Sequence, residues 1–300
     1  MLKLSALVLL LAVLTSCNNN ERTTESGLTY KVLREGTGEV AQEGEYLALN
    51  MKYGEVDSTW IDTTIENLPA VIMVRKTTIK AEPSLQDILF DLKLGDSVQF
   101  DVTAGDLYQK TWRRPLPPSL DSTSVVSFSV GVEAIMDQNT MRQWEMNQQQ
   151  KITQNQLNYD ISVIEKYLAE NRISASKTES GLYYVITEES DGTKPQIGQQ
   201  VEVNYVGYNL KGQYFDTSYK ELAEEKGIYS AQREPYEPIE FVLGQRKVIS
   251  GWEEGIALLG VGSKAKLIIP STLAYGPRAR GEAIGPNEIL IFDIELVGVN

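Results

Sequence analysis

An α+β architecture in two domains is the fold class this sequence predicts, and three observations carry the prediction. Three hundred residues suffice for two domains that each bury a core. TESGLTY, Thr24 to Tyr30, returns as TESGLYY, Thr178 to Tyr184, an offset of 178 − 24 = 154 residues, and self-similarity of this kind implies duplicated domains. Between the copies, Asp137 to Lys177 holds neither Pro nor Gly and spaces its apolar residues like a helix, while both flanks carry the alternation of strands.

The amino-terminal segment has one early cation, Lys3, then the apolar run Leu4 to Leu14, and closes in LTSC. It is too short to cross a bilayer and is followed by Asn18, Asn19 and Asn20, so residues 1–16 read as a secretory signal, with 17–25 as a tether. Residues 26–136 make the first domain. Its LALNMKYGEVDSTWIDTT, Leu47 to Thr64, aligns without gaps on VEVNYVGYNLKGQYFDTS, Val201 to Ser218, and LKLGDSVQF, Leu92 to Phe100, pairs with LGVGSKAKL, Leu259 to Leu267. In the linker, residues 137–177, Met141, Trp144, Ile152, Leu157, Ile161, Ile164 and Leu168 recur at spacings near three, four and seven, which suggests an amphipathic helix. The NQQQ and QNQ tracts interrupt that stripe, and a bend there is the alternative.

Residues 178–300 make the second domain. VISGWEEGIALLG, Val248 to Gly260, predicts a short helix, with Ser250 and Glu253 in the relation of a capping box and Gly260 closing it. Trp252 falls in its first turn. Downstream lie a β-rich AKLIIP, a Tyr275–Gly276 corner and a last strand, ILIFDIEL, whose Leu290, Phe292, Ile294 and Leu296 share one face. An aromatic first turn laid on such a sheet makes an apolar pocket.

The formal net charge of −13 argues against nucleic acid, because neutralising phosphates needs a basic surface. The chain has no histidine and one cysteine. That excludes Ser-His-Asp and Cys-His nucleophilic systems, His-ligated zinc and structural cysteine sites, and leaves no cofactor or metal to expect. Any chemistry must use carboxylates, phenols, amides and shape.

From Gly181 to Asn300 the chain resembles the FKBP family of peptidyl-prolyl cis/trans isomerases, through VEVNYVGYNLKGQYFDTS, IEFVLGQRKVISGWEEGIALLGVGSKAKLIIP, LAYG and ILIFDIEL in the right order. The resemblance implies an antiparallel sheet curled around a short helix, with a shallow apolar groove for a proline. With the repeat, it implies two FKBP-like domains joined by a helical linker. Rotation about an imide needs no nucleophile, which suits the inventory of side chains. It implies that Trp252 floors the groove and that Tyr205, Phe215, Phe241, Val248, Ile249, Ile284 and Phe292 touch substrate. The Ile249 N–H and the Tyr275 hydroxyl would hold substrate carbonyls, and Asp216 would orient the polar rim; Asp216, Tyr275 and Trp252 are the catalytic candidates. Packing alone would also account for Phe241, Val248, Phe292 and Tyr205. Glu253 and Glu254, adjacent on a helix, face different ways and make a poor catalytic pair.

The first copy keeps the frame of the second without its pocket. Met51 stands for Tyr205, Ile61 for Phe215, Glu82 for Ile249 and Leu85 for Trp252, while Asp62, Tyr108 and Phe128 match. Residues 26–136 therefore read as a degenerate, inactive domain whose role is partner binding, spacing from a membrane, or contact with clients. The second copy departs from the family at Ile239, usually aromatic, at Arg280, often histidine, and in the insertion SYKELAEEKGIYSAQREPYE, where Tyr219, Tyr229 and Tyr236 would extend the groove or cover the sheet edge.

LTSC resembles a bacterial lipobox, which implies cleavage before Cys17, lipid on that residue, and an outer-membrane lipoprotein facing the periplasm, since Asn18 does not resemble an inner-membrane retention signal. The partners implied are proline-containing, incompletely folded clients and the membrane. Some relatives dimerise through such a stalk, here 138–171; a helix packed on its own domains is the alternative. Beside the isomerase reading stands a non-catalytic one, in which both domains are binding or assembly scaffolds.

Overall fold

The computed structural model describes residues 20–25, 27–55, 58–63, 69–75, 85–89 and 91–300. The signal and Cys17 lie outside these residues, as does Glu82; of Leu85 only the backbone is described. The chain divides after Gln148 into two compact units.

The first unit contains β1 (Glu21–Thr23), β2 (Thr29–Arg34), β3 (Thr37–Val40), β4 (Tyr46–Glu55), β5 (Ile61–Asp62), β6 (Ala70–Met73), α1 (Leu85–Leu89), β7 (Lys93–Leu94), β8 (Ser97–Thr103), α2 (Ala104–Asp106) and β9 (Val125–Met136). Its antiparallel sheet runs β1-β2-β8-β9-β4-β5, with β6 also on β4. Helix α3 (Gln138–Asn171) crosses the division. In the second unit follow β10 (Ser176–Lys177), β11 (Tyr183–Glu188), β12 (Gln200–Asn209), β13 (Tyr214–Thr217), α4 (Lys220–Glu225), β14 (Ile239–Val242), α5 (Ser250–Ala257), β15 (Lys264–Ile269) and β16 (Leu290–Val299). Their sheet runs β10-β11-β15-β16-β12-β13, with β14 also on β12. The two orders correspond strand for strand, so the repeat in sequence is a repeat in topology.

Alternation builds the second core. Along β12 every second residue is buried, and Val201, Val203 and Tyr205 point with Phe292, Ile294 and Leu296 of β16 toward α5. Gly251 and Gly255, one turn apart on α5, let the helix lie on β15, since a Cβ at either would strike Ile269 or Leu267. The reverse face is not left to water. Ile164 and Leu168 of α3 pack there with Tyr183, Ile268, Ile289 and Ile291, each buried aliphatic side chain contributing about 1.5–3 kcal/mol.

Helix α3 is continuous through its glutamine-rich middle; a run without Pro or Gly has nothing to break it. From Gln149 on, its apolar stripe belongs to the second unit. Asp160 in that stripe is fully buried, and its carboxylate accepts hydrogen bonds from the backbone N–H of Ser271 (2.7 Å), the Ser271 hydroxyl (2.6 Å) and Gln156 Nε2 (2.7 Å). The linker thus holds the short 3-10 turn, Ser271–Leu273, that leads to Tyr275.

Two local expectations are corrected. The N-cap of α5 is Ile249, which makes Ser250 the first helical residue and puts Glu253 one position too far along for a capping box. Glu253 instead accepts from the N–H groups of Gly244 and Arg246, tying down the turn before the helix. The helix ends at Ala257. Gly262, at φ +88°, is the left-handed residue nearby, while Gly260 is required because a Cβ there would meet the Gly192 carbonyl at 2.5 Å.

Candidate functional site

In the second unit the concave side of the sheet and α5 enclose an open cleft of about 350 Å³, lined by aromatic and aliphatic side chains with a few polar groups. The floor is Trp252, 4% exposed because the first turn of α5 faces the sheet. Edge-on rings hold it: Tyr205 at 5.0 Å and 74°, Phe292 at 5.1 Å and 85°. Phe215 stands edge-on to Phe292 at 5.5 Å. The buried indole N–H has no hydrogen-bond partner among the described residues, a condition that costs about 1–3 kcal/mol and that nothing in the sequence foretold.

One glycine lets the two rings of this wall stand where they do. Gly207 lies across the ladder from Phe292, and a Cβ there would stand 2.6–2.8 Å from Phe215 and Phe292.

The polar rim is built around Asp216. Its Oδ2 accepts from the Tyr205 hydroxyl at 2.6 Å and its Oδ1 from the Thr217 N–H at 2.8 Å, while Arg233 Nε lies 3.9 Å from Oδ1. Burial, then donation to Asp216, raises the pKa of Tyr205 far above the ordinary phenol range. Burial raises Tyr275 as well, against the opposing field of Arg280. Neither the Tyr275 hydroxyl nor the Ile249 N–H donates to another group among the described residues, which leaves two donors at the cleft. Both phenols stay protonated at neutral pH.

Of the residues the sequence singled out, Tyr205, Phe215, Asp216, Val248, Ile249, Trp252, Tyr275, Ile284 and Phe292 line this one cleft. Phe241 does not: it is buried in the core, 6.3 Å from Trp252 ring to ring, because β14 pairs with β12 and turns that side chain inward. Ile239 and Arg280 line the cleft, and so does Lys247, which no sequence signal distinguished from a surface lysine. The insertion contributes a cation where aromatics were expected. Arg233 reaches the Tyr205 hydroxyl (3.4 Å), whereas Tyr229 and Tyr236 stack on each other and Tyr219 bonds Glu295 at the sheet edge.

The first unit sets aromatic rings on the corresponding strands. Tyr53 lies across from Phe128 as Gly207 lies across from Phe292, and its ring stacks on Phe128 at 4.8 Å. Tyr108 packs on Trp112 at 4.7 Å. Asp62 pairs opposite Lys52, whereas Asp216 pairs opposite Gly207, whose aligned counterpart is Tyr53, so the ladder is slipped by one and the two carboxylates sit on different faces. The identity of Asp62 with Asp216 in the alignment does not survive as identity of position. A hollow of about 520 Å³ in this unit is lined by Lys52, Ser58, Gln99, Ser127 and Ser129 among others, with no tryptophan.

The family model for FKBP-type peptidyl-prolyl cis-trans isomerase matches residues 191–297. The chain is 39% identical over 137 residues to the FKBP-type peptidyl-prolyl cis-trans isomerase FkpA of Aeromonas hydrophila, 45% of each protein. It therefore spans less than half the length of that relative. It is 40% identical over 120 residues, 40% of this chain, to FK506-binding protein 1A of Neurospora crassa, covering 88% of it. It is 39% identical over 120 residues, again 40% of the chain, to peptidyl-prolyl cis-trans isomerase Fkbp12 of Drosophila melanogaster, covering 98% of it. With a curled antiparallel sheet, a helix carrying a tryptophan floor and relatives covered almost end to end, the chain belongs to the FKBP-type peptidyl-prolyl cis-trans isomerase family.

Proposed function

We propose that the second unit is a working prolyl isomerase, that the first is a degenerate FKBP-like domain, and that lipid on Cys17 anchors both to the outer membrane, facing the periplasm, where they assist folding of exported proteins. The observation that carries the catalytic part is the open cleft over Trp252 with Asp216, Tyr275 and the Ile249 N–H on its rim.

The bond before proline rotates over a barrier of about 18–20 kcal/mol, because twisting ends the conjugation between nitrogen and carbonyl. In this cleft a pyrrolidine ring lies on Trp252 between Tyr205, Phe215 and Phe292. The Ile249 N–H and the Tyr275 hydroxyl take flanking carbonyls and fix the chain on both sides of the rotating bond. Asp216, held by Tyr205 and Thr217, presents a carboxylate to the imide carbon as it loses planarity. Walls that exclude water and fit the twisted form bind it better than either planar isomer, and that difference is the acceleration. No covalent step is involved.

The test is exchange of a proline peptide by the full chain: the cis form must relax faster than it does alone, and relaxation at the spontaneous rate refutes the activity. Trp252→Leu must lose most of the acceleration; full activity in that variant refutes the site. A Cys17→Ser chain must leave the membrane fraction for the soluble one. Dimerisation through α3 is read from the mass in solution, with Met141 and Trp144, half-buried in the first unit, as its contact residues. A non-catalytic, binding role is favoured for the first unit alone, where Tyr53 stands at the position of Gly207 and stacks on Phe128.

A further inference from the structure

The charge around the cleft runs against the charge of the chain. On a protein of formal charge −13, the cleft lining holds Lys247 and Arg280, and Arg233 leans in from the insertion. Against them stands one carboxylate, Asp216, so the local sum is 3 − 1 = +2. Both oxygens of Asp216 already accept hydrogen bonds. Lys247 and Arg280 form no ion pair among the described residues; Arg280 lies over the Tyr275 ring, 5.3 Å from its centre, and both side chains are exposed. Three acids of the neighbouring segments are engaged elsewhere. Glu234 pairs with Lys220 at 2.7 Å, Glu240 accepts from Gln200, and Glu253 holds the Gly244–Arg246 turn. Glu282 shares the loop of Arg280 without lining the cleft.

Two free cations beside an apolar groove have a direct consequence for what is drawn into it. Both line the cleft, Lys247 just before the wall residues Val248 and Ile249, and Arg280 over the ring of Tyr275. An extended segment with its proline over Trp252 therefore has both cations within the same cleft lining. We propose that Lys247 and Arg280, with Arg233 behind them, make this site select proline segments that carry a carboxylate within a residue or two of the proline. The proposal rests on the isomerase reading above and names its substrate class. The remainder of the acidic surface repels such segments, so the cleft is where they gain by docking.

The experiment measures kcat/KM by NMR exchange, without a coupling protease, on three peptides that differ only in Glu, Gln or Lys beside the proline. The Glu peptide exceeds its Gln isostere about three- to ten-fold at low salt, the size that two or three exposed ion pairs supply, and Lys falls below Gln. The preference shrinks toward one in 1 M NaCl, where the screening length is about 3 Å. It shrinks likewise in a Lys247→Gln, Arg280→Gln double variant and inverts with Glu at both positions. Equal rates for Glu and Gln in an active protein overturn the selectivity and leave the isomerase standing. A preference that survives 1 M NaCl undiminished overturns charge as its cause. Spontaneous rates for all three peptides overturn the activity and this proposal with it.

Discussion

Gly207 and Tyr53 hold matching places on matching ladders, and a ring stacks on Phe128 in the first unit where the second has no side chain across from Phe292. Gly207→Ala must drive a methyl into Phe215 and Phe292. It is expected to cost about 1–3 kcal/mol in denaturant unfolding and to depress kcat/KM, the cost of an overpacked wall. Tyr275→Phe keeps the ring and removes the hydroxyl. The loss of one neutral hydrogen bond to substrate, about 0.5–1.5 kcal/mol, lowers kcat/KM by about two- to ten-fold with no change in melting temperature. Trp252, Asp216 and Tyr275 were singled out because each lies in a stretch that resembles a motif of the family, and all three line the cleft. Lys247 was not, since a lysine shows its partner, or its freedom, only when the fold assembles around it.

At the level of elements, strands were easier to read than their offsets. Alternation with period two marked Val201, Val203 and Tyr205 as one face, and burial agrees. The one-residue slip that separates Asp62 from Asp216 leaves no trace in composition, because pairing register depends on the turn between strands. Asp160 was hidden for another reason: a carboxylate within a helical stripe reads as solvated, and only the neighbouring turn shows that it is an acceptor for Ser271. Asp160→Ala strips two donors of their partner inside the protein. Each stranded group costs about 1–3 kcal/mol, so a loss of about 2–6 kcal/mol in urea unfolding is expected, with Asp160→Asn recovering part of it.

Across the whole molecule the titration behaviour is simple. The chain has no histidine, and the Tyr205 and Tyr275 hydroxyls are held above the ordinary 10.0 by burial, so kcat/KM is expected to stay flat from about pH 6 to 9. Stability has a definite sign. Tyr183, Tyr205 and Tyr208 bind their protons more tightly folded than unfolded, first through burial and then through carboxylate neighbours. Their contribution is fully present below the unfolded value of 10.0 and is lost as pH climbs through the raised folded values, so melting temperature must decline above pH 10.

The clasp between Asp160 and Ser271 also sets what the second unit would lose with the stalk. A protease that trimmed the stalk as far as Ile173 would peel Ile164 and Leu168 from the back of the sheet, leaving an oily scar across Tyr183, Ile268, Ile289 and Ile291. The turn ahead of Tyr275 would lose its fastening in the same stroke. The remnant would still hold every residue that lines the cleft, and it is expected to aggregate through the bared patch.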